Sequence, residues 1–375
     1  MNDSMQRLEI REIPPTDTVA LRDFVSFQKT IYAGNAHFVE PIYSEVLKFI
    51  LKGPFNRIGE KLLLMAYRGG IPVARLSVHR SFAHNDHYKV NQGFFGFFEA
   101  RDDVDAVSAM FSHGESWLRE RGCTSALGPM NFTVYDEIGL LINAFDRDPV
   151  LLCTYNLPYY PSLIEAVGYA KEIDWYAYWK DMTIPNIMRL ITGRVTRQKN
   201  VVVRPVNVKK FDAEAESIRH IFDEAWSENW GNVPFTDEQW KFLLKELKMI
   251  ITPDYSYICE VDGQPVAFSI TVLDVNQAVK KAKGRLFPFG LIKILLNLKK
   301  PKWGRTMVMG ILRPYRNKGY EVAMIQRTIE AGARTGKTGS DCSLIVETNK
   351  PMIAALDHIG AERYKTYRIY KKQFV

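Results

Sequence analysis

The residues best suited to chemistry form a short basic turn, Arg316-Asn317-Lys318-Gly319. It lies between an apolar strand-like run, TMVMGIL, and a stretch of helical periodicity opening at Tyr320. A strand, a glycine-containing turn and a helix start form an anion cradle. The first N–H groups of a helix have no partner within it, and the helix dipole adds positive potential there. Arg316 and Lys318 supply full charges, and glycine lets backbone approach a ligand closely. A diphosphate suits such a pocket. Two further stretches are unusual for plain core. GPMNFTVYDEIGLL gathers Asn131, Tyr135, Asp136 and Glu137 between apolar runs, and EAWSENWGNVPFT sets Trp226 and Trp230 beside Glu228 and Asn229. Two readings fit both: a turn or helix end with aromatics packed beneath, or an acceptor pocket containing a carboxylate base. The base candidates are Glu137 and Asp136, then Glu347, with His358 behind them. Tyr159 and Tyr160 in YNLPYYPSL either line the same pocket or pack at a helix start.

These groups must be held by a scaffold, and the chain repeats one. YRGGIPVARLSV (67–78) and EVDGQPVAFSIT (260–271) both read as hairpins, with Gly70 and Gly263 separated by 193 residues. The same offset lays Arg11-Glu12-Ile13 on Arg204-Pro205-Val206, and an amphipathic helix follows each (about 19–32 and 213–226). Gly168 and Gly360 each follow a helix and precede a Lys- and Tyr-rich strand. Two copies of one α/β unit explain these matches. The expected division is 1–182 and 201–375, with 183–200 as a linker. The copies differ by an insertion between Asn131 and Tyr155 in the first, and by one at 277–305 in the second. At the cradle position the first copy reads Arg101-Asp102-Asp103-Val104-Asp105. It lacks glycine, and its acids would repel a diphosphate. The first copy is therefore expected to shape the acceptor site, since clefts between lobes commonly bind ligands.

Bulk properties narrow the class. The chain has 375 residues, 46% hydrophobic and 25% charged, as in ordinary globular proteins. The N-terminal MNDSMQRLEIRE shows no apolar leader, so a cytoplasmic protein is expected. The longest apolar run, 286–298, is broken by Pro288, Gly290 and Lys293, and falls short of the roughly 20 residues a membrane span needs. The four cysteines are scattered, which suits reduced thiols, and His84 and His87 lack further ligands, so no metal is expected. Net charge is +8, and residues 277–305 alone carry nine Lys or Arg and no acid. No nucleic-acid reader motif accompanies that charge. The segment reads either as a core helix between charged loops, as a lid over a bound ligand, or as an element lying on an anionic membrane.

With its strand, Arg316-Asn317-Lys318-Gly319-Tyr320-Glu321 turn and helix, followed by LIVETNKPMIAALDHIG, the C-terminal half resembles the GNAT superfamily of acyl-CoA N-acyltransferases. The resemblance implies two tandem GNAT folds (α/β), each a mixed, mostly antiparallel sheet flanked by helices. It implies a CoA thioester as co-substrate and direct acyl transfer to an amine. Gly310, Ile311, Leu312 and Arg313 would pair with the pantetheine arm and stabilise the oxyanion. Arg316, Asn317, Lys318, Gly319, Tyr320 and Asn349 complete the donor site. Asn131, Tyr135, Asp136, Glu137 and Glu347 are assigned to the chemistry, because the amine must lose a proton to attack. Trp226, Asn229, Trp230, Tyr159 and Tyr160 are assigned to the acceptor. Three positions depart from the family pattern: Glu321 replaces a small residue, Leu356 a tyrosine that protonates the leaving thiolate, and Ala361 an aromatic. GPMNFTVYDE, YNLPYY, AWSENWG and GRLFPFGLIKILLNLKK further resemble a tandem subgroup that includes bacterial ceramide synthases, which implies a long acyl chain and a sphingoid amine. An acetyl-CoA enzyme for a small soluble amine and a non-catalytic acyl-CoA-binding module are the alternatives.

Overall fold

The structure is a computed structural model and describes residues 7–374; the first half of the N-terminal stretch MNDSMQRLEIRE, on which the expectation of no leader rested, lies outside the described residues. The chain divides into two compact units. The first takes the chain as far as Trp175, then Val279–Ile294 and the stretch from Lys365; the second takes Tyr176–Ala278 and Leu295–Tyr364.

The first unit opens with β1 (Leu8–Glu12), helices α1 (Thr18–Ser26), α2 (Gln28–Ile31), α3 (Tyr43–Lys52) and α4 (Phe55–Ile58), and the hairpin β2 (Gly59–Arg68) to β3 (Ile71–Ser81). It continues through α5 (Phe82–Tyr88), β4 (Gln92–Ala100), α6 (Val104–Glu120), β5 (Ser125–Gly128), β6 (Leu140–Leu141), α7 (Tyr160–Ala166) and β7 (Ala170–Asp181). Strand alternation builds a core on each face of this sheet. Leu64 of β2 faces Phe95, Met110, Phe111 and Tyr160. Its neighbours Leu63 and Met65 face Leu21, Phe24, Ile50 and Phe132. A period of two does this because successive strand side chains point to opposite faces.

The second unit contains α8 (Asn186–Thr196), β8 (Val201–Pro205), α9 (Phe211–Trp226), α10 (Asp237–Ile250), the hairpin β9 (Tyr257–Val261) to β10 (Gln264–Leu273) and α11 (Asn276–Val279). After α12 (Gly290–Leu295) come β11 (Trp303–Ile311), α13 (Tyr320–Arg334), β12 (Gly339–Val346), α14 (Lys350–His358) and β13 (Glu362–Gln373). Its strands run in the order β7-β12-β11-β10-β9-β8. All neighbours from β8 to β11 are antiparallel and β11 pairs with β12 in parallel. The first strands of the repeat coincide to the residue, since β1 and β8 both hold five residues at the 193-residue offset.

Two boundaries differ from the sequence reading. The expected linker 183–200 contains α8, whose Met188 and Val195 are buried against α13. The units also do not part at the repeat boundary. The second half of β13 pairs antiparallel with β5, from Tyr370↔Gly128 to Gln373↔Ser125, and with β6 at Tyr367↔Leu141. Its Tyr370 is fully buried in the first unit's core, and Lys372 bonds Glu115 of α6 at 2.8 Å. The first sheet is therefore completed by the end of the chain. A fragment ending at residue 182 would leave β5 with an open edge. That fragment should show no cooperative thermal transition by circular dichroism, whereas the full chain should.

Candidate functional site

The cradle forms where β11 and β12 separate. Their parallel ladder runs from Trp303↔Gly339 to Thr306↔Cys342 and stops, while β10 keeps pairing with β11 as far as Ala267↔Ile311. Met307 to Ile311 thus lie beyond the β12 ladder, next to a register shift between Ile270 and Thr271. Gly310 leaves room for α9, because a Cβ there would meet Phe268 at 2.7 Å and Ala225 at 3.4 Å. Leu312 N–H donates to Val266 O, and Arg313 N–H donates to Glu224 Oε1 at 2.8 Å, so these two amides are used within the protein.

The turn then delivers α13 with an open start. Asn317 (φ 61°) and Gly319 (φ 82°) both occupy the left-handed region. Gly319 is the N-cap and offers no side-chain acceptor to the first-turn amides. Its missing Cβ makes room for a helix: that atom would lie 2.4 Å from Ile191 of α8. Arg313, Arg316, Asn317 and Lys318 are exposed, and Tyr320 is buried beneath them. The Arg316 guanidinium rests on carbonyls at the end of α9 and β11, Ala225 O at 3.3 Å and Ile311 O at 3.4 Å. Arg313 bonds Ser227 and Glu228. Glu321, in the first turn of α13, turns its carboxylate toward its own backbone N–H. One of its carboxylate oxygens is buried without a partner, and burial raises its pKa. It lies close enough to β9 to add, after burial and Glu260, to the upward push on the Cys259 thiol.

The corresponding features of the first unit are closed. Asp103 caps α6 by accepting from Ala106 N–H at 3.1 Å, and Arg68 grips both its oxygens at 2.8 Å. The β4–β5 ladder likewise ends at Phe94↔Leu127 beside a register shift, with Phe97 at φ 47°. Here the chain itself fills the opening. Met130 N–H donates to Phe95 O at 2.8 Å, and Phe97 N–H donates to Asn131 Oδ1 at 2.7 Å.

That same loop gathers the first unit's candidate carboxylates. Asn131 Nδ2 donates to Glu137 Oε2 at 2.9 Å. Asp136 Oδ2 accepts from Thr133 Oγ1 at 2.7 Å and from Thr133 N–H at 3.0 Å, while Tyr135 N–H donates to Thr133 Oγ1 at 3.3 Å. Burial is the largest influence on Asp136 and pushes its pKa up to about 7 against the two Thr133 bonds. Sequence reasoning missed the neighbours of this loop. His79 of β3 is fully buried, 3.2 Å from Phe132 O, and burial lowers its pKa to about 3, so it is neutral. Lys61 lies over the Phe132 ring and is lowered by burial to about 8. The available signal was the polar row Arg75, Ser77, His79 on alternate positions of an otherwise apolar strand.

The other assigned residues fall in several places. Trp226 Nε1 donates to Met309 O at 2.9 Å, so this indole sits against the strand before the cradle. Asn229 and Trp230 are half-buried in the turn that follows α9. Glu347, just past β12, accepts from Tyr176 OH at 3.3 Å. Four of the named residues have partners within the protein. Tyr160 is a fully buried core residue that bonds Glu99 at 2.8 Å, and Tyr159 bonds Ala100 O at 2.7 Å. Asn349 caps α14 through Met352 N–H at 3.2 Å. His358 is exposed, and its Nδ1 turns back onto Ala354 O. Leu356 is buried in the core between α8, α13 and α14, so no proton donor stands there. Among the described residues, no group of three or more His, Cys, Asp or Glu is placed to hold a metal. Replacing Arg316 and Lys318 together by alanine should weaken CoA binding by at least about tenfold, as expected for charge-assisted hydrogen bonds. Glu321→Gln should not weaken affinity, because it removes a negative charge from the first turn of α13; titration calorimetry measures both.

No family model matches the chain. Two proteins are similar over almost its whole length. Protein YghO of Escherichia coli (strain K12) is 32% identical over 363 residues, 94% of this chain and 93% of that protein. The bacterial ceramide synthase of Caulobacter vibrioides (strain NA1000 / CB15N) is 30% identical over 376 residues, 97% of each. Among solved structures, a tandem GNAT protein from the clavulanic acid biosynthesis pathway matches with a TM-score of 0.60 at 11% identity, covering 98% of both chains. A GCN5-related N-acetyltransferase from Sphaerobacter thermophilus matches at 0.54 and 12%, covering 98% of this chain and 95% of its own. Full-length identity to the ceramide synthase, the tandem GNAT fold and the open start of α13 agree, and the chain belongs to the tandem GNAT N-acyltransferase family that includes bacterial ceramide synthase.

Proposed function

We propose that this protein transfers a long acyl group from acyl-CoA to the amine of a sphingoid-type lipid. The observation that carries this reading is the 30% identity to bacterial ceramide synthase over 97% of both chains. In this reading the first-turn amides of α13, with Arg316 and Lys318, hold the CoA diphosphate, and the stretch of β11 beyond the β12 ladder lies along the pantetheine arm. Leu356 supplies no acid, so the leaving thiolate takes its proton from the attacking ammonium or from water. The amine needs a base, and three carboxylates are candidates: Glu137 held by Asn131, Asp136 held by Thr133, and Glu347 in the cradle's own unit. A lipid acceptor places the enzyme at the inner face of a membrane while it works.

Release of free CoA is the test. Palmitoyl-CoA with a sphingoid amine should turn over at least about tenfold faster, in kcat/KM, than acetyl-CoA with the same amine, because added methylenes contribute binding energy. Transfer from acetyl-CoA to small soluble amines, with no turnover of lipid amines, would overturn the lipid assignment.

The base can be identified by pH. A carboxylate with a pKa near 7 is active only when ionised, so with Asp136 as base the rate should rise through about pH 7 and level off above it. Asp136→Asn should then lose roughly 10²-fold or more in kcat with CoA affinity unchanged. If Glu137→Gln or Glu347→Gln carries that loss instead, the base is that residue.

A further inference from the structure

We infer that the segment 285–300 is a membrane-docking element that inserts apolar side chains among anionic lipid headgroups. The sequence left this segment open between a core helix, a lid and a membrane-surface element. The structure turns its apolar side outward. Phe287, Phe289 and Leu296 are 76%, 65% and 66% exposed, and Leu291, Ile292 and Leu295 are exposed with them. Leu291, Ile292, Leu295 and Leu296 follow helical spacing, so they share one face of α12 and its last turn. The face opposite is tied down. Gly290 is buried with no room for a Cβ, which would meet Arg285 O at 1.7 Å. An ordinary surface helix shows the reverse arrangement, with its apolar stripe inward.

The root of the segment is fixed to the first unit. Tyr43 N–H of α3 donates to Gly284 O at 3.3 Å, and Lys280 pairs with Asp148. A Cβ on Gly284 would strike the Tyr43 ring at 2.5 Å. Contiguous exposed apolar groups of this kind mark an interaction surface, and their charged border selects the partner. Exposed Lys281, Lys283 and Arg285 precede the apolar side chains, exposed Lys299, Lys300 and Lys302 follow them, and residues 277–305 contain no acid. A face with apolar side chains at its centre and cations around it complements a bilayer surface, where acyl chains lie beneath phosphates. Among the described residues no helix is long and apolar enough to cross a membrane, so the contact is interfacial. This inference rests on the segment's own exposure and charge rather than on the identity of the acceptor.

The test is co-sedimentation of the full-length protein with vesicles, without substrates. Vesicles of phosphatidylcholine with phosphatidylglycerol should carry the protein down, pure phosphatidylcholine far less, and 0.5 M salt (on the order of the strength that shortens screening below 5 Å) should release it. Phe287→Ser with Phe289→Ser should lower partitioning about tenfold or more. Lys299→Gln with Lys300→Gln should lower it about fivefold per cation removed. Both variants should melt as the parent does by circular dichroism. Both should also keep parental turnover of detergent-dispersed substrate, which separates failure of docking from failure of the proposed chemistry. No binding to anionic vesicles at low salt, or binding that both variants retain, would overturn the inference. So would a dimer in gel filtration that these substitutions split, because the face would then cover a second copy.

Discussion

The start of a helix leaves N–H groups that must find acceptors, and the two units of this protein meet that demand in opposite ways. Asp103, locked by Arg68, supplies the acceptor for α6 from within the chain. Gly319 supplies none for α13, and its φ of 82° turns the chain so that exposed Asn317 and Lys318 stand immediately before the open amides. Water satisfies such amides weakly compared with an anion aligned with the helix dipole. The rest of the second unit supports this arrangement. Ile191 occupies the space a Cβ on Gly319 would need, Gly310 admits α9 beside β11, and the β12 ladder ends at Thr306, so among the described residues no strand pairs with β11 on that side beyond it.

The first unit keeps the outline of a donor site and fills it with its own atoms. Its strands part at the same place, and a residue with positive φ marks the bulge. Asn131 then accepts the Phe97 N–H where the strands part. This internal closure also orders Glu137, because the same amide side chain binds its carboxylate. Deeper in the unit, Glu99 is buried on β4 beside Arg75 and accepts from Gln28, Tyr32 and Tyr160. Several donors on one buried carboxylate offset part of its desolvation, and burial still raises its pKa. Such a network fixes α2, α7 and the sheet in one arrangement, which is how Tyr160 is used.

Much of this was legible from pattern alone. The 193-residue offset located both hairpins and both first strands, because turn glycines and strand alternation are local signals. The uncapped glycine turn was legible for the same reason. Long-range pairing was not: nothing local in YKTYRIYKK states that its second half completes the first sheet. Tyr159 and Tyr160 read equally as pocket aromatics or helix-start packing because their partners, Ala100 O and Glu99, lie far back in the sequence within an apolar run. Asn349 matched a family position, and the structure spends its side chain on a helix cap. The apolar block at 286–298 had three readings because composition cannot state which way a short amphipathic helix faces; the structure exposes Phe287, Phe289, Leu291, Ile292, Leu295 and Leu296.

The central claim is that the open start of α13 binds the diphosphate of CoA, and comparison of two ligands tests it most directly. Calorimetric titration with CoA and with pantetheine, which keeps the thiol arm and lacks the diphosphate, separates the cradle from the strand edge. CoA should bind with at least about a hundredfold higher affinity, the range expected when several charge-assisted bonds are lost together. Equal affinity for the two would show that the helix start holds no anion and would contradict the account.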